Sequence, residues 1–223
     1  MTPLETIEVE TNPRPGATIV VLHGLGADGN DFVSLVQQLR LGPVGPVRFI
    51  FPHAPVMPVT INNGMRMRAW YDIHGVDLVR REDEAGLRQS HAAIEALLAR
   101  EKERGIAAHR IVLAGFSQGC AMALMAGVRH GERLAGIIGL SGYLPLASLT
   151  AAERTEASSL TPVFMAHGQQ DNVVPVARGQ ASCAALQALG YDVQWQTYPM
   201  AHSVSPAEIA DINQWLLKVL EKP

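Results

Sequence analysis

Ile111-Val112-Leu113-Ala114-Gly115-Phe116-Ser117-Gln118-Gly119-Cys120 is the stretch on which the fold turns. A short β-branched and apolar run enters Gly-x-Ser-x-Gly, and a small-residue segment, Cys120 to Gly127, leaves it with helical character. A serine between a strand and a helix sits on a sharp turn that lifts its hydroxyl clear of the sheet. Glycines two positions to either side remove Cβ atoms that would clash there. The helix N-terminus beneath the turn favours negative charge developing nearby. The five-residue pattern alone is weak, because Gly and Ser are common in turns; the flanking strand and helix make it informative. Ser117 is therefore the candidate nucleophile. Cys120 is its rival by chemistry, but it falls in the first helical turn, where a side chain points into packing.

Outward from this turn, apolar runs alternate with longer helical patterns. Strands are expected at Thr18 to His23, at Val47 to Phe51 closed by Pro52, and at His109 to Gly115. Three more are expected at Leu134 to Leu140, Pro162 to His167 and Val193 to Tyr198. Helical periodicity covers roughly 29–40, 80–103, 118–130, 177–189 and 205–221. The last helix opens on Ser205-Pro206-Ala207-Glu208, an N-cap serine three residues before a glutamate with proline between them. Strand–helix alternation at this spacing predicts the α/β class: a mostly parallel central sheet with helices on both faces. In such sheets ligands bind at the carboxyl ends of the strands. Two segments interrupt the alternation. Residues 52–79 hold several prolines, Asn62-Asn63-Gly64, Trp70 and Tyr71, and read as a long excursion over the strand ends. Residues 141–161 read as a second surface excursion. No repeat or linker divides residues 1–223, so a single domain is expected.

Composition narrows the partners. Hydrophobic residues make up 48% of the 223 and charged residues 17%, with a net charge of −3. A chain of this size buries roughly 70–75% of its unfolded surface, enough for a large core without staples. The charge balance offers no basic face to displace counterions, so no nucleic-acid partner is expected. The first residues lack a positive segment followed by an apolar one, and no window nears about 18 uninterrupted apolar residues. No stable membrane insertion is expected, and the cytoplasm is the default compartment. The two cysteines, Cys120 and Cys183, read as reduced, buried small hydrophobes.

A serine hydroxyl needs a base, and on such a sheet the partners follow in the order serine, acid, histidine. Three histidines follow Ser117. His130 sits at the end of the post-turn helix, and no aspartate separates His167 from Ser117. His202 lies in the loop after the last strand, just before the capped helix, from which an imidazole can reach the turn. Between Ser117 and His202 the aspartates are Asp171 and Asp192. Asp171 lies beyond the carboxyl end of the fifth strand and Asp192 where the sixth begins, so Asp171 is the candidate acid that orients His202. Leu22-His23-Gly24-Leu25-Gly26 follows the first strand, where a backbone N–H can meet a developing oxyanion. Leu25 and Gln118 are assigned as the two amide donors. The spacing of these glycines matches neither phosphate-binding loop. His23 is read as holding the turn through a buried hydrogen bond. No cluster has metal-ligand spacing, so neither metal nor cofactor is expected.

Taken together, the Leu22 to Gly26 segment, Gly115 to Gly119, Asp171-Asn172-Val173-Val174-Pro175 and the histidine before the last helix resemble the carboxylesterase / acyl-protein thioesterase family of α/β-hydrolases. The similarity runs from about residue 15 to 220. It implies Ser117, Asp171 and His202 as triad, Leu25 and Gln118 as oxyanion donors, and a partly covered acyl groove with Pro58 to Trp70 in its cover. It implies hydrolysis of short- to medium-chain carboxylic esters, or of thioesters, lysophospholipids or lipidated proteins by the same machinery, and it admits a homodimer. Cys120 departs from the glycine expected in many relatives. Leu25, Met65, Trp70, Val173 and Val174 are candidate apolar walls for substrate, with core packing or a surface position the alternative for each.

Overall fold

The computed structural model describes residues 3–75 and 82–221. In chain order the strands are β1 (Thr6–Glu10), β2 (Ala17–Leu22), β3 (Val47–Pro52), β4 (Val56–Val59), β5 (Met65–Arg68), β6 (Ile111–Phe116), β7 (Gly136–Leu140), β8 (Val163–Gly168) and β9 (Val193–Tyr198). The helices are α1 (Leu35–Gln38), α2 (Glu84–Glu103), α3 (Gln118–Arg129), α4 (Ala147–Glu153), α5 (Val176–Ala188) and α6 (Pro206–Val219). A seven-stranded sheet runs β1-β3-β2-β6-β7-β8-β9, parallel throughout except that β1 pairs antiparallel with β3. This is the α/β class expected from the alternation.

The central strands owe their composition to their place. β2, β3, β7 and β8 are buried at every position, as is β6 up to its last residue, because helices cover both faces. One apolar layer joins Leu22, Ile111 and Leu113 to α2 and α3; the other joins Ile19, Phe49 and Val112 to Ile212, Trp215 and Leu216 of α6. α3 is buried from Gln118 through Val128, which explains its run of Ala, Gly, Met and Cys.

Several expectations need correction. β1 was absent from them, although Thr6-Ile7-Glu8-Val9-Glu10 alternates: Ile7 and Val9 pack on the core, while Glu8 and Glu10 pair with Arg100 and Arg48. The helix expected at 29–40 is a 3-10 turn at Gly29–Phe32 and one α-helical turn, α1, because the chain must fold back to reach β3. α2 begins at Glu84, capped by the Asp83 carboxylate, which accepts from Gly86 N at 3.0 Å; residues 80–81 of that expected helix lie outside the described residues. Residues 52–75 are more ordered than a loop: β4 and β5 form an antiparallel hairpin that the proline content had masked. Residues 76–79 of that excursion are likewise outside the described residues. The segment 141–161 is a surface excursion only in its second part. Residues 141–146 are buried and lead into α4.

At the amino ends of the strands, fully buried Glu101 of α2 accepts from Arg48 at 2.7 Å and from Thr18 at 2.8 Å. This ties the far end of the sheet to α2 and leaves the carboxyl ends for the site.

Candidate active site

β6 delivers Ser117 into a strained turn. The residue has φ 56° and ψ −117°, a left-handed backbone that favours glycine, and caps α3. The turn holds because its amide donates to Leu140 O of β7 at 2.8 Å and because its neighbours carry no side chains. A Cβ on Gly115 would stand 2.1 Å from Gly119 O, and one on Gly119 would stand 2.1 Å from Leu22 O. The two glycines thus let β2, β6 and α3 converge beneath the serine.

Asp171 follows β8 in a turn that locks its carboxylate. Oδ1 accepts from the amides of Val173 and Val174, each at 2.8 Å, and Oδ2 meets His202 Nδ1 at 2.6 Å. The carboxylate side chain is fully buried, so these donors replace water. His202 arrives on the loop after β9. That loop crosses the end of β8 so closely that a Cβ on Gly168 would lie 2.3 Å from Ala201 O. Gln170 N donates to Met200 O at 3.0 Å and fixes the crossing. His202 Nε2 then lies 2.9 Å from Ser117 Oγ, and the Phe116 ring packs against the imidazole at 4.7 Å. The structure brings the three expected residues into one hydrogen-bonded chain. With Asp171 on Nδ1, Nε2 faces the serine as the proton acceptor.

The rival residues lie elsewhere. Asp192 accepts from Val163 N at the opposite end of the sheet. His130 is buried against Glu95. His167 is buried beside Asp171 and bonds Val174 O at 2.8 Å; burial pushes its pKa down, which keeps it neutral. Cys120 is fully buried under the turn, and burial raises its thiol pKa far above the ordinary value; Cys183 is buried too. His23 donates from Nδ1 to Gly24 O at 2.7 Å and accepts from Ala54 N on Nε2 at 3.0 Å, so it fastens the loop after β2 to the chain after β3.

Leu25, Ser117 and Gln118 line one cavity of about 290 Å³. Gly26 N donates to Arg68 O, but among the described residues no acceptor meets the amide of Leu25 or of Gln118. Val173 and Val174 line the same cavity; Met65 and Trp70 do not. Met65 is exposed at the start of β5. Trp70 is buried, with its indole N–H donating to His23 O at 2.9 Å. Its breadth suits it to pinning the segment after β5 onto the loop after β2. The walls missed by sequence reasoning are Ile61, Ile73, Tyr71 and Tyr143. Tyr71 lies in an apolar cluster, Ala69-Trp70-Tyr71, whose burial is the signal that a surface excursion does not carry. Gln118 has a further, unforeseen part. Its side chain accepts from Trp70 N at 2.8 Å and donates to Tyr71 O at 2.7 Å. Among the described residues no cluster of three His, Cys, Asp or Glu could hold a metal ion, and no helix is long and apolar enough to cross a membrane.

Comparison with known proteins adds names to this geometry. The sequence profile of the phospholipase/carboxylesterase family matches residues 4–220. Acyl-protein thioesterase 1 of Gibberella zeae is 43% identical over 213 residues, covering 92% of this chain and 91% of its own. Acyl-protein thioesterase 1 of Neurospora crassa is 44% identical over 219 residues, covering 94% and 89%. Among solved structures, acyl-protein thioesterase 2 of Zea mays superposes with a TM-score of 0.86 at 31% identity, covering 97% of this chain and 99% of its own.

Proposed function

The chain belongs to the phospholipase/carboxylesterase family of α/β-hydrolases, and from that premise we propose that it hydrolyses acyl thioesters, those of S-acylated proteins included, through an acyl-enzyme on Ser117. The observation that carries this reading is the hydrogen-bonded chain Asp171–His202–Ser117 opening on a cavity walled mainly by aliphatic and aromatic side chains. Sequence alone put short- to medium-chain oxyesters first. The relatives' names favour the thioester.

Ser117 Oγ attacks the thioester carbonyl carbon as its proton passes to His202 Nε2. Asp171 Oδ2 steadies the imidazolium, holding its tautomer and orientation. The carbonyl oxygen becomes an oxyanion held by the N–H groups of Leu25 and Gln118; losing one such donor typically costs about 3–4 kcal/mol in the transition state. The C–S bond breaks, the sulfur takes the proton from His202, and the thiol leaves. Water then attacks the acyl-Ser117 carbonyl, giving its proton to His202, and the fatty acid departs as serine is restored.

The test is kcat/KM for matched acyl oxyesters and thioesters over a chain-length series, with Ser117→Ala and Asp171→Asn as controls. The expected result is a thioester preference in the unmodified protein, with turnover abolished in the first variant and reduced about 10⁴-fold in the second, where the imidazole tautomer is wrong. A clear oxyester preference would return the reading to a carboxylesterase. Turnover surviving Ser117→Ala would refute the mechanism.

A further inference from the structure

The cavity beside Ser117 is not uniformly apolar. Tyr71 and Tyr143 both line it, their hydroxyl oxygens 2.9 Å apart, and both residues are buried. Burial raises both phenols above their ordinary pKa, so each keeps its proton. Two hydroxyls that share one hydrogen bond hold two hydrogens, and the bond uses one. Among the described residues neither oxygen has a second partner. The Arg178 guanidinium lies over the Tyr143 ring at 4.4 Å, which anchors the ring but offers no acceptor. Of the polar side chains in the lining, Gln118 already bonds the backbone with both ends of its amide, and Asn62 donates to Met67 Sδ. Among the described residues one phenolic O–H therefore has no acceptor, in a wall whose other side chains are mainly apolar (Leu25, Ile61, Ile73, Val173 and Val174). A plain alkyl chain filling this space would strand that donor away from water. A chain with an oxygen at the matching position would satisfy it.

We propose that the Tyr71–Tyr143 hydroxyl pair is a specificity element of the acyl groove, favouring acyl groups that carry an oxygen acceptor (a hydroxyl, oxo or ether oxygen) over plain alkyl chains of equal length. The proposal deepens the function given above and rests on it. The oxygen's position along the chain is set by the reach from Ser117 to the pair, so the preference peaks at one position and falls on either side. Removing one hydroxyl leaves the other with its hydrogen unbonded, so both must go for the preference to be lost; two phenylalanines that fill the same volume make the wall suit plain chains better.

The experiment uses N-acetylcysteamine thioesters of octanoate and of analogues with an ether oxygen replacing one methylene at each successive position. kcat/KM is measured for the unmodified protein and for the double variant Tyr71→Phe/Tyr143→Phe. One analogue is expected to exceed octanoyl by about 10-fold, and that ratio is expected to collapse towards one in the double variant. Thermal stabilisation by the corresponding free acids is followed in parallel and is expected to rank them the same way. A flat positional profile, or a peak that persists in the double variant, would overturn the proposal while Ser117-dependent turnover upholds the function. Absence of Ser117-dependent turnover would defeat the function; the melting shifts would still decide the groove's preference.

Discussion

Gln118 holds Trp70 through its side chain while its backbone amide has no acceptor among the described residues: Oε1 accepts from Trp70 N at 2.8 Å, and Nε2 donates to Tyr71 O at 2.7 Å. One residue thus serves the candidate oxyanion site with its main chain and fastens the segment after β5 with its side chain. Gln118→Ala keeps the first part and loses the second. It leaves a buried N–H and a buried C=O unpartnered, at about 1–3 kcal/mol each. Denaturant unfolding is expected to show a loss of about 2–4 kcal/mol, with kcat/KM falling as the Tyr71 wall loosens. A stability change within 0.5 kcal/mol, about the size of an ordinary surface substitution, would mean the contact does not hold the segment.

Strain at Ser117 can be released. Its φ of 56° is retained by alanine and tolerated by glycine. Both substitutions remove the hydroxyl, so both abolish turnover, but Ser117→Gly is expected to be more stable than Ser117→Ala by about 1 kcal/mol after the entropy that glycine adds to the unfolded chain. That difference corresponds to about 2–4 °C in Tm for a protein of this size. Equal melting temperatures would show that the turn stores no strain.

The convergence beneath the serine makes Gly119, like Gly115, intolerant of a side chain. Gly119→Ala drives a methyl to 2.1 Å from Leu22 O, backbone that cannot step aside. We expect a loss of about 3 kcal/mol and loss of activity, since β2 and α3 must part. Gly16→Ala, with nothing within 4 Å of the new methyl, is the control and should stay within about 0.5 kcal/mol. The idea fails if both variants melt alike.

Glu208, which completes the capping box of α6 just after the His202 loop, is fully buried, and desolvation pushes its carboxyl up to about 7 from the ordinary 4.5. An acid that ionises later in the fold than in the unfolded chain makes unfolding release a proton across that interval. Stability therefore falls as pH rises from about 4.5 to about 7, and the penalty is complete above it. Glu208→Gln keeps a capping acceptor and removes the charge. Its Tm is expected to exceed the parent's at pH 8 and to converge with it near pH 4, by an amount worth a few kcal/mol. Parallel Tm–pH curves for the two proteins would rule this out.

The chemistry lies on residues the sequence makes legible, because its constraints are local. Strand, glycine, serine, glycine and helix must follow one another for a serine to stand on such a turn; Asp171 was separable from Asp192 by the sheet edge each reaches, and His202 from His167 because no aspartate lies between Ser117 and His167. The groove was less legible because its walls come from side chains whose burial depends on distant partners. Trp70 looked like a wall and is a pin, held by His23 O; Tyr143 lay in a stretch read as surface, although it is buried in the same core layer as α3. The hairpin was hidden by Pro58, tolerated because β4 pairs only with β5. β1 was missed for want of length, five residues whose pairing energy comes entirely from β3.

The protein's two thiols are both enclosed, Cys120 without any solvent contact and Cys183 at 6% exposure. Thiol-trapping dyes added to a thioesterase reaction should therefore be blind to the folded catalyst and coloured only by the sulfhydryl that each turnover sets free. The same enclosure lets the protein be stored in air and assayed without a reductant, so a continuous optical reading of thioester cleavage starts from a flat baseline.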